Sequence, residues 1–296
     1  MKKDQQKETL DYFRSHAEEW ADKAAGKVPK YNVIAARNNY VLRVIANRTS
    51  TNRFLDIGCG TGELAIDAGG LVQSSLGVDF AQEMIDICEA NAAVAKKDNV
   101  SFLCKSVFDA ELPSGSFDVI SANGVIEYIS LDELDELIEF CIQLLAPGGS
   151  LVLGSRNRLF NLYSLNEFTK EEVERDTALP LLQESLAITG GASIDELLSF
   201  EPAPLPEANK DYHATTGIEV TTRHQYTPAQ LLQIVKKSGL EPVHIGGVHI
   251  HGALPKFKDQ YVSDHVAMAD LLEQYCDTLP ELIPQASTFM LASVKK

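Results

Sequence analysis

Between residues 53 and 156 the chain alternates two kinds of apolar pattern. Short runs rich in β-branched and aliphatic residues, RFLDIG (53–58), SSLGVDF (74–80), VSFLCKS (100–106), FDVISANG (117–124) and SLVLGSR (150–156), have the length of buried strands. Between them GELAIDAGGLV (62–72), AQEMIDICEANAAVAKK (81–97) and LDELDELIEFCIQLLA (131–146) carry apolar residues every three or four positions. Strand and helix alternating at this spacing predict an α/β fold, a doubly wound, mostly parallel sheet with helices on both faces. Ligands of such sheets bind beyond the carboxyl ends of the strands, where strand order reverses.

The flanks follow other patterns. Residues 4–25 have helical spacing, with Leu10, Tyr12, Phe13 and Trp20 on the apolar side, and a second helix is predicted at about 31–47. After 156 the alternation stops. Residues 156–222 mix helical patches (174–188 and 193–200) with the proline-rich stretch 201–213. A structureless loop of that length is rare in a compact domain, so an inserted cap is predicted. Thr227-Pro228 then opens a helix that Gly239 stops, followed by strand 240–250, a mostly helical excursion at 251–285 and a closing strand from 287.

The most informative stretch is FLDIGCGTGE (54–63), an apolar strand running into Gly58, Gly60 and Gly62 and then a helix. Such a turn lets a ligand lie against the main chain, facing the free N–H groups of the helix start. The spacing is GxGxG, which departs from the dinucleotide GxGxxG. Asp56, ahead of the first glycine, would repel a pyrophosphate but accept hydrogen bonds from an ammonium. Asp79 ends the next strand, well placed for ribose hydroxyls. A nucleoside with a cationic, amino-acid-like tail is the expected ligand.

DIGCGTG (56–62), GVDFAQEMI (77–85), FDVISANGVIEYI (117–129) and LLAPGGSLVL (144–153) together resemble, in order and spacing, the class I S-adenosylmethionine-dependent methyltransferases. The resemblance covers residues 54 to about 155. It implies a seven-stranded Rossmann-like methyltransferase fold, with the last two strands antiparallel, and S-adenosylmethionine as cofactor. Asp56, Gly58, Cys59, Gly60 and Gly62 would line its amino-acid end, and Asp79 its ribose. Phe80 and Met84 would pack on the adenine, with Ser106 and Val107 at its edge. Many members have an acidic residue where Ser106 stands, and Asp109 lies nearby to take that part. Asn123 and Gly124 would offer backbone carbonyls to the ammonium. Leading helices of this family form a lid, from which Arg37 is a candidate for the carboxylate; Tyr12, Trp20 and Tyr31 either touch the ligand or simply pack. The implied organisation is lid helices at 1–50, the cofactor-binding half of the sheet at 51–155, the cap at 156–222 and the rest of the sheet at 223–296.

LGSRNR (153–158) and HQYTPAQLLQIVKKSGLEPVHIGGVHI (224–250) look like the ubiquinone-biosynthesis O-methyltransferases, which methylate a polyprenylated catechol-type ring. That group carries a Glu–His pair after strand four and an earlier Glu, a set suited to a divalent metal. Here Glu127 matches, but Tyr128 replaces the His and Gly124 the earlier Glu. One ligand of three remains, so no metal is expected.

Charge and composition narrow the acceptor. With 26 basic and 42 acidic residues the net charge is −16, a poor match to the basic surface that nucleic acids require. An RNA-modifying methyltransferase is therefore the disfavoured rival, beside an NAD-type oxidoreductase and a non-catalytic nucleoside-binding module. No apolar run approaches the ~20 residues of a membrane span, and the N-terminus lacks the apolar core of an export signal. Five cysteines without a CxxC suit a reducing cytoplasm. The oligomeric state stays open, a homodimer among the options.

The reading is thus a methyltransferase acting in line on an O or N atom of a small molecule. An acceptor that must lose a proton needs a base. His213 and His224 flank the return from the cap, and His249 and His251 end the sixth strand. Singly, each is more readily a surface or packing histidine than a base. Two pairs at convergent reversals point to the acceptor pocket, with Tyr212 and Tyr226 nearby. His224, His249 and Glu127 are the catalytic candidates.

Overall fold

The computed structural model describes residues 2–205 and 224–296; Tyr212 and His213 lie outside the described residues. Among the described residues seven strands, β1 (Arg53–Ile57), β2 (Ser74–Asp79), β3 (Val100–Cys104), β4 (Phe117–Asn123), β5 (Leu145–Arg156), β6 (Leu240–Ile250) and β7 (Ala286–Lys295), form one sheet. Their order is β3-β2-β1-β4-β5-β7-β6. β1 to β5 pair in parallel, and β7 is antiparallel to both β5 and β6. Strand order reverses between β1 and β4, so the crevice lies where their carboxyl ends part.

Helices α1 (Lys2–Ser15), α2 (Ala17–Ala24) and α3 (Val33–Ala46) precede the sheet, and α4 (Glu63–Ala68), α5 (Gln82–Ala95) and α6 (Leu131–Leu144) connect its first five strands. After β5 come α7 (Phe160–Ser164), α8 (Glu167–Glu174), α9 (Ala178–Thr189) and α10 (Ile194–Leu198); α11 (Pro228–Lys237) leads into β6, and α12 (Val262–Glu273) lies between β6 and β7.

Side chains alternate across each strand, which explains helices on both faces. Leu55 and Ile57 join Ile120, Leu151 and Leu153 under α6 and α11. Phe54, with Val119 and Val152, meets Tyr40, Val41 and Ile45 of α3 on the other face. Each such fully buried side chain is worth about 1.5–3 kcal/mol. The same period turns Asp56 toward α3.

Two boundaries differ from the predicted ones. The helix expected over 4–25 breaks at His16, whose backbone (φ −117°, ψ 16°) leaves the helical region and separates α1 from α2. The strand expected from 150 begins at Leu145, taking in the end of the helix expected over 131–146 and the Pro147-Gly148-Gly149 stretch that follows it. Leu145 pairs with Phe117, the register shifts, and Ser150 then pairs with Val119. Gly148, at φ +71°, absorbs the extra residues of that irregularity.

Candidate functional site

The turn after β1 is held by carboxylate-to-backbone bonds. Asp79, buried at the end of β2, accepts the Gly60 N–H on Oδ2 and the Ala81 N–H on Oδ1, each at 3.0 Å. Burial pushes its carboxyl up to about 6, against these stabilising N–H groups. Gly62, at φ +87°, has no room for a side chain: a Cβ would come within 2.9 Å of Cys88 Sγ. Gly60 is also left-handed, at φ +54°, but nothing lies within 4 Å of its missing Cβ. One glycine is needed for packing; the other faces open space that a ligand can fill. Cys59, just ahead of Gly60, has its Sγ 4.0 Å from Cys88 Sγ and turned into the packing below the turn.

Asp56 is buried on the α3 side, where it accepts the Ser121 hydroxyl. Burial drives its carboxyl up to about 7; Ser121 opposes the shift, Asp79 and Glu63 add to it, and Arg37 opposes it. Arg37 reaches over from α3 to Gly124, where a Cβ would stand 2.7 Å from its Nη1. Burial lowers the guanidinium's pKa, and its Nε, shut off from solvent, has no hydrogen-bond partner. Asn123, at the end of β4, likewise leaves both side-chain Oδ1 and Nδ2 buried without partners. A buried carboxylate short of a counter-ion, a guanidinium with spare donors and an unsatisfied amide converge beside the glycine turn. Such groups suit an amino acid's ammonium and carboxylate.

These residues line one cavity of about 940 Å³, near the top of the roughly 300–1,000 Å³ range of small-molecule sites. Phe80, Met84, Ser106 and Val107 also lie on its wall. Met84 packs beneath Phe13 and Trp20 of the leading helices, which α1 ties to α5 through Arg14 Nε and Glu83 Oε2 at 3.1 Å. Ser106 precedes a 3-10 turn at Val107–Asp109, and Asp109 itself is exposed and off the wall. Trp20 and Tyr31 are on the wall. Tyr12 is not; its ring stacks on His16 at 4.3 Å and joins a cluster with Phe13 and Tyr128.

The three catalytic candidates separate. Glu127 is on the wall, but both its oxygens are engaged: Oε1 accepts the Arg156 N–H at 3.0 Å and Oε2 accepts Arg156 Nε at 3.1 Å. His224 lies behind the wall, its backbone N–H donated to the Glu127 carbonyl at 2.7 Å and its ring Nδ1 buried without a partner. His249 is on the wall with His251, its ring stacked on Tyr31 at 4.7 Å. Sequence reasoning passed over Arg156, which holds Glu127, and Asn123's side chain, having considered only its backbone carbonyl. It also passed over His265, which sits on α12 against His249.

Residues 54–149 match a family model described as a methyltransferase domain. The ubiquinone biosynthesis O-methyltransferase of Coxiella burnetii is 24% identical over 247 residues, covering 83% of this chain and 86% of that protein. The enzyme of the same name from Xanthomonas campestris is 30% identical over 168 residues, 56% of this chain and 68% of its own length. Among solved structures, an S-adenosylmethionine dependent methyltransferase from Mesorhizobium loti aligns with a TM-score of 0.53 at 15% identity, over 89% of this chain and 100% of that one. Likeness at that identity shows the fold.

Proposed function

This chain belongs to the class I S-adenosylmethionine-dependent methyltransferases, and from that premise we propose that it methylates an oxygen or nitrogen of a small-molecule acceptor by in-line displacement. The observation that carries the reading is the single cavity running from Gly60 and Asp79 past Arg37 to His249 and His251, with wall left over beyond the groups that suit the cofactor.

Bound S-adenosylmethionine supplies an electrophilic methyl group on a sulfonium. Asp79 accepts the ribose hydroxyls while keeping Gly60 in place. Asp56 and Asn123 take the ammonium, Arg37 the carboxylate, and Phe80, Met84, Ser106 and Val107 surround the adenine. Because the leaving group is already good, the chain's remaining tasks are alignment and exclusion of water. Glu127 positions Arg156 on the wall. An acceptor proton would leave toward the end lined by His249 and His251. The segment after β5 that the structure describes, residues 157–205, forms a cap over that end, to which Phe160, Asn161 and Phe168 contribute wall. A net charge of −16 argues against RNA as acceptor. A reducing compartment is the proposed location, on the strength of five free thiols; no helix among the described residues is long and apolar enough to cross a membrane.

The test supplies S-adenosylmethionine with a labelled methyl group, together with pooled metabolites or with RNA. Label should appear in a small molecule, with S-adenosylhomocysteine released in equal amount. Label confined to RNA would overturn the acceptor class.

A further inference from the structure

Beside the cavity, the end of β6 and α12 bring three imidazoles together. His249 Nε2 stands 2.9 Å from His265 Nε2, and one ring nitrogen from each of His249, His251 and His265 lies within 4.8 Å of the others. Their ring centroids are 4.2, 4.8 and 5.1 Å apart. We propose that these three histidines form a binding site for one divalent transition-metal ion, zinc by preference.

Four observations support the site. First, His251 is 2% exposed, and neither of its ring nitrogens has a hydrogen-bond partner. A buried polar group left so is destabilising, a loss that a metal bond would recover. Second, His249 Nδ1 meets Ser287 Oγ at 2.9 Å, an outer contact that orients the ring so that Nε2 faces His265 Nε2 inside the cluster. Third, His249 holds a left-handed backbone at φ +57°, a conformation unfavourable for a non-glycine residue. That backbone lies at the end of β6, where the ring faces both the cavity and α12. Fourth, burial and the neighbouring imidazoles keep the rings neutral, with His251 down to about 3 and His249 and His265 also lowered. Neutral imidazole is the form that binds a metal.

The dimensions agree. Zinc bonds imidazole nitrogen at about 2.0–2.1 Å, so three ligands in a tetrahedral arrangement lie about 3.3 Å apart, within side-chain rotations of the present spacing. Three imidazoles leave one position open, the pattern of catalytic rather than structural zinc. Rings pack around the cluster: Tyr31 stacks on His249 and Phe160 lies 4.7 Å from His251. Lys258 and Asp259, ahead of α12, act on His265 with opposite charge. His249 and His251 are on the cavity wall, so the open position faces the space assigned to the acceptor, where a metal would polarise an acceptor oxygen. That last role rests on the methyltransferase reading; the metal site does not.

The test uses the full chain without a polyhistidine tag, stripped with a chelator and titrated with Co²⁺. One equivalent should bind and give the intense visible absorption of a four-coordinate site, and Zn²⁺ should abolish the band. His265→Ala, on a partly exposed helix, and His251→Ala should each lose at least about tenfold in affinity. Absence of the band in the unmodified chain, or equal Co²⁺ affinity in the parent and both variants, overturns the site. S-adenosylhomocysteine binding to the stripped chain, measured by calorimetry, separates this proposal from the methyltransferase reading. Failure of the metal with that binding intact removes only the metal.

Discussion

At one end of the cavity, nearly every group facing the cofactor comes from the segment between Asp56 and Asn123, and the turn is held by Asp79 accepting backbone N–H groups. At the other end, Glu127, Arg156, His249, His265 and Ser287 come from β4's exit, β5, β6, α12 and β7, and side chain meets side chain. The first end is a local device: consecutive residues fix the backbone, and the backbone makes the site. The second exists only when distant segments pack together. Its side chains can be exchanged without disturbing the sheet, which is where acceptor specificity has freedom to change.

The sharpest way to break this contrast is at Gly62. In Gly62→Val the new side chain would meet Cys88 and Phe102 at a φ of +87°. Overpacking costs about 1–3 kcal/mol and the left-handed backbone about 1–2 more. S-adenosylhomocysteine binding by calorimetry should disappear, and the urea midpoint should fall. A comparably large loss is expected at the cap, but in stability alone. Buried Arg158 grips Glu172 through Nε and Nη2 at 2.9 and 2.7 Å, with Asn161 bonded to the same carboxylate. Arg158→Met strands that charge, so urea unfolding should show a loss of about 3–5 kcal/mol while donor affinity at low temperature is kept. If donor binding is lost there as well, the two ends are not separable.

Arg37→Met sharpens the comparison from inside the cavity. Removing a charged donor set costs about 1.5–3 kcal/mol, so donor affinity should fall roughly 10- to 150-fold with the fold unchanged. An unaltered affinity would assign Arg37 to the acceptor end instead.

The smallest effect is a pH trend in donor affinity. Asp56 and Asp79 hold their protons up to about pH 7 and 6, above the usual carboxyl range, because they are buried. Each carboxyl therefore contributes stability as pH falls through its folded pKa. His224, His249, His251 and His265, lowered by burial, bind fewer protons folded than unfolded and remove stability as pH falls through the ordinary histidine range. Donor binding needs the carboxylates, so affinity should fall as pH falls from about 8 toward about 5.5. Glu172, whose carboxyl lies below its ordinary value, loses its own stabilising contribution only at lower pH still. Donor affinity that stays constant from about pH 8 to about pH 5.5 would contradict the assignment.

How much was legible follows the same division. The glycine turn, Asp56 and Asp79 stand in one short run and one strand end, so spacing alone located them. The sheet was legible because apolar runs of strand length recur between helical stretches. The start of β5 was not, since Ala146-Pro147-Gly148-Gly149 has the composition of a terminator, while tertiary pairing carries the strand through it. Nor was the break at His16, which no glycine or proline marks. Amphipathic spacing placed Tyr12 on the apolar side of α1, but it does not say whether that side meets a cavity or Tyr128. His265 was passed over because no sequence spacing relates α12 to the end of β6.

Asp79 joins both jobs of the donor end, holding the turn and receiving the ribose, so its carboxylate is the most direct test. Asp79→Asn keeps an oxygen for the Ala81 N–H while removing the charge. Calorimetry with S-adenosylhomocysteine should show affinity lower by about 2–3 kcal/mol, roughly 30- to 150-fold, with circular dichroism unchanged. A variant that binds as tightly as the parent would mean the nucleoside does not lie at the end of β2.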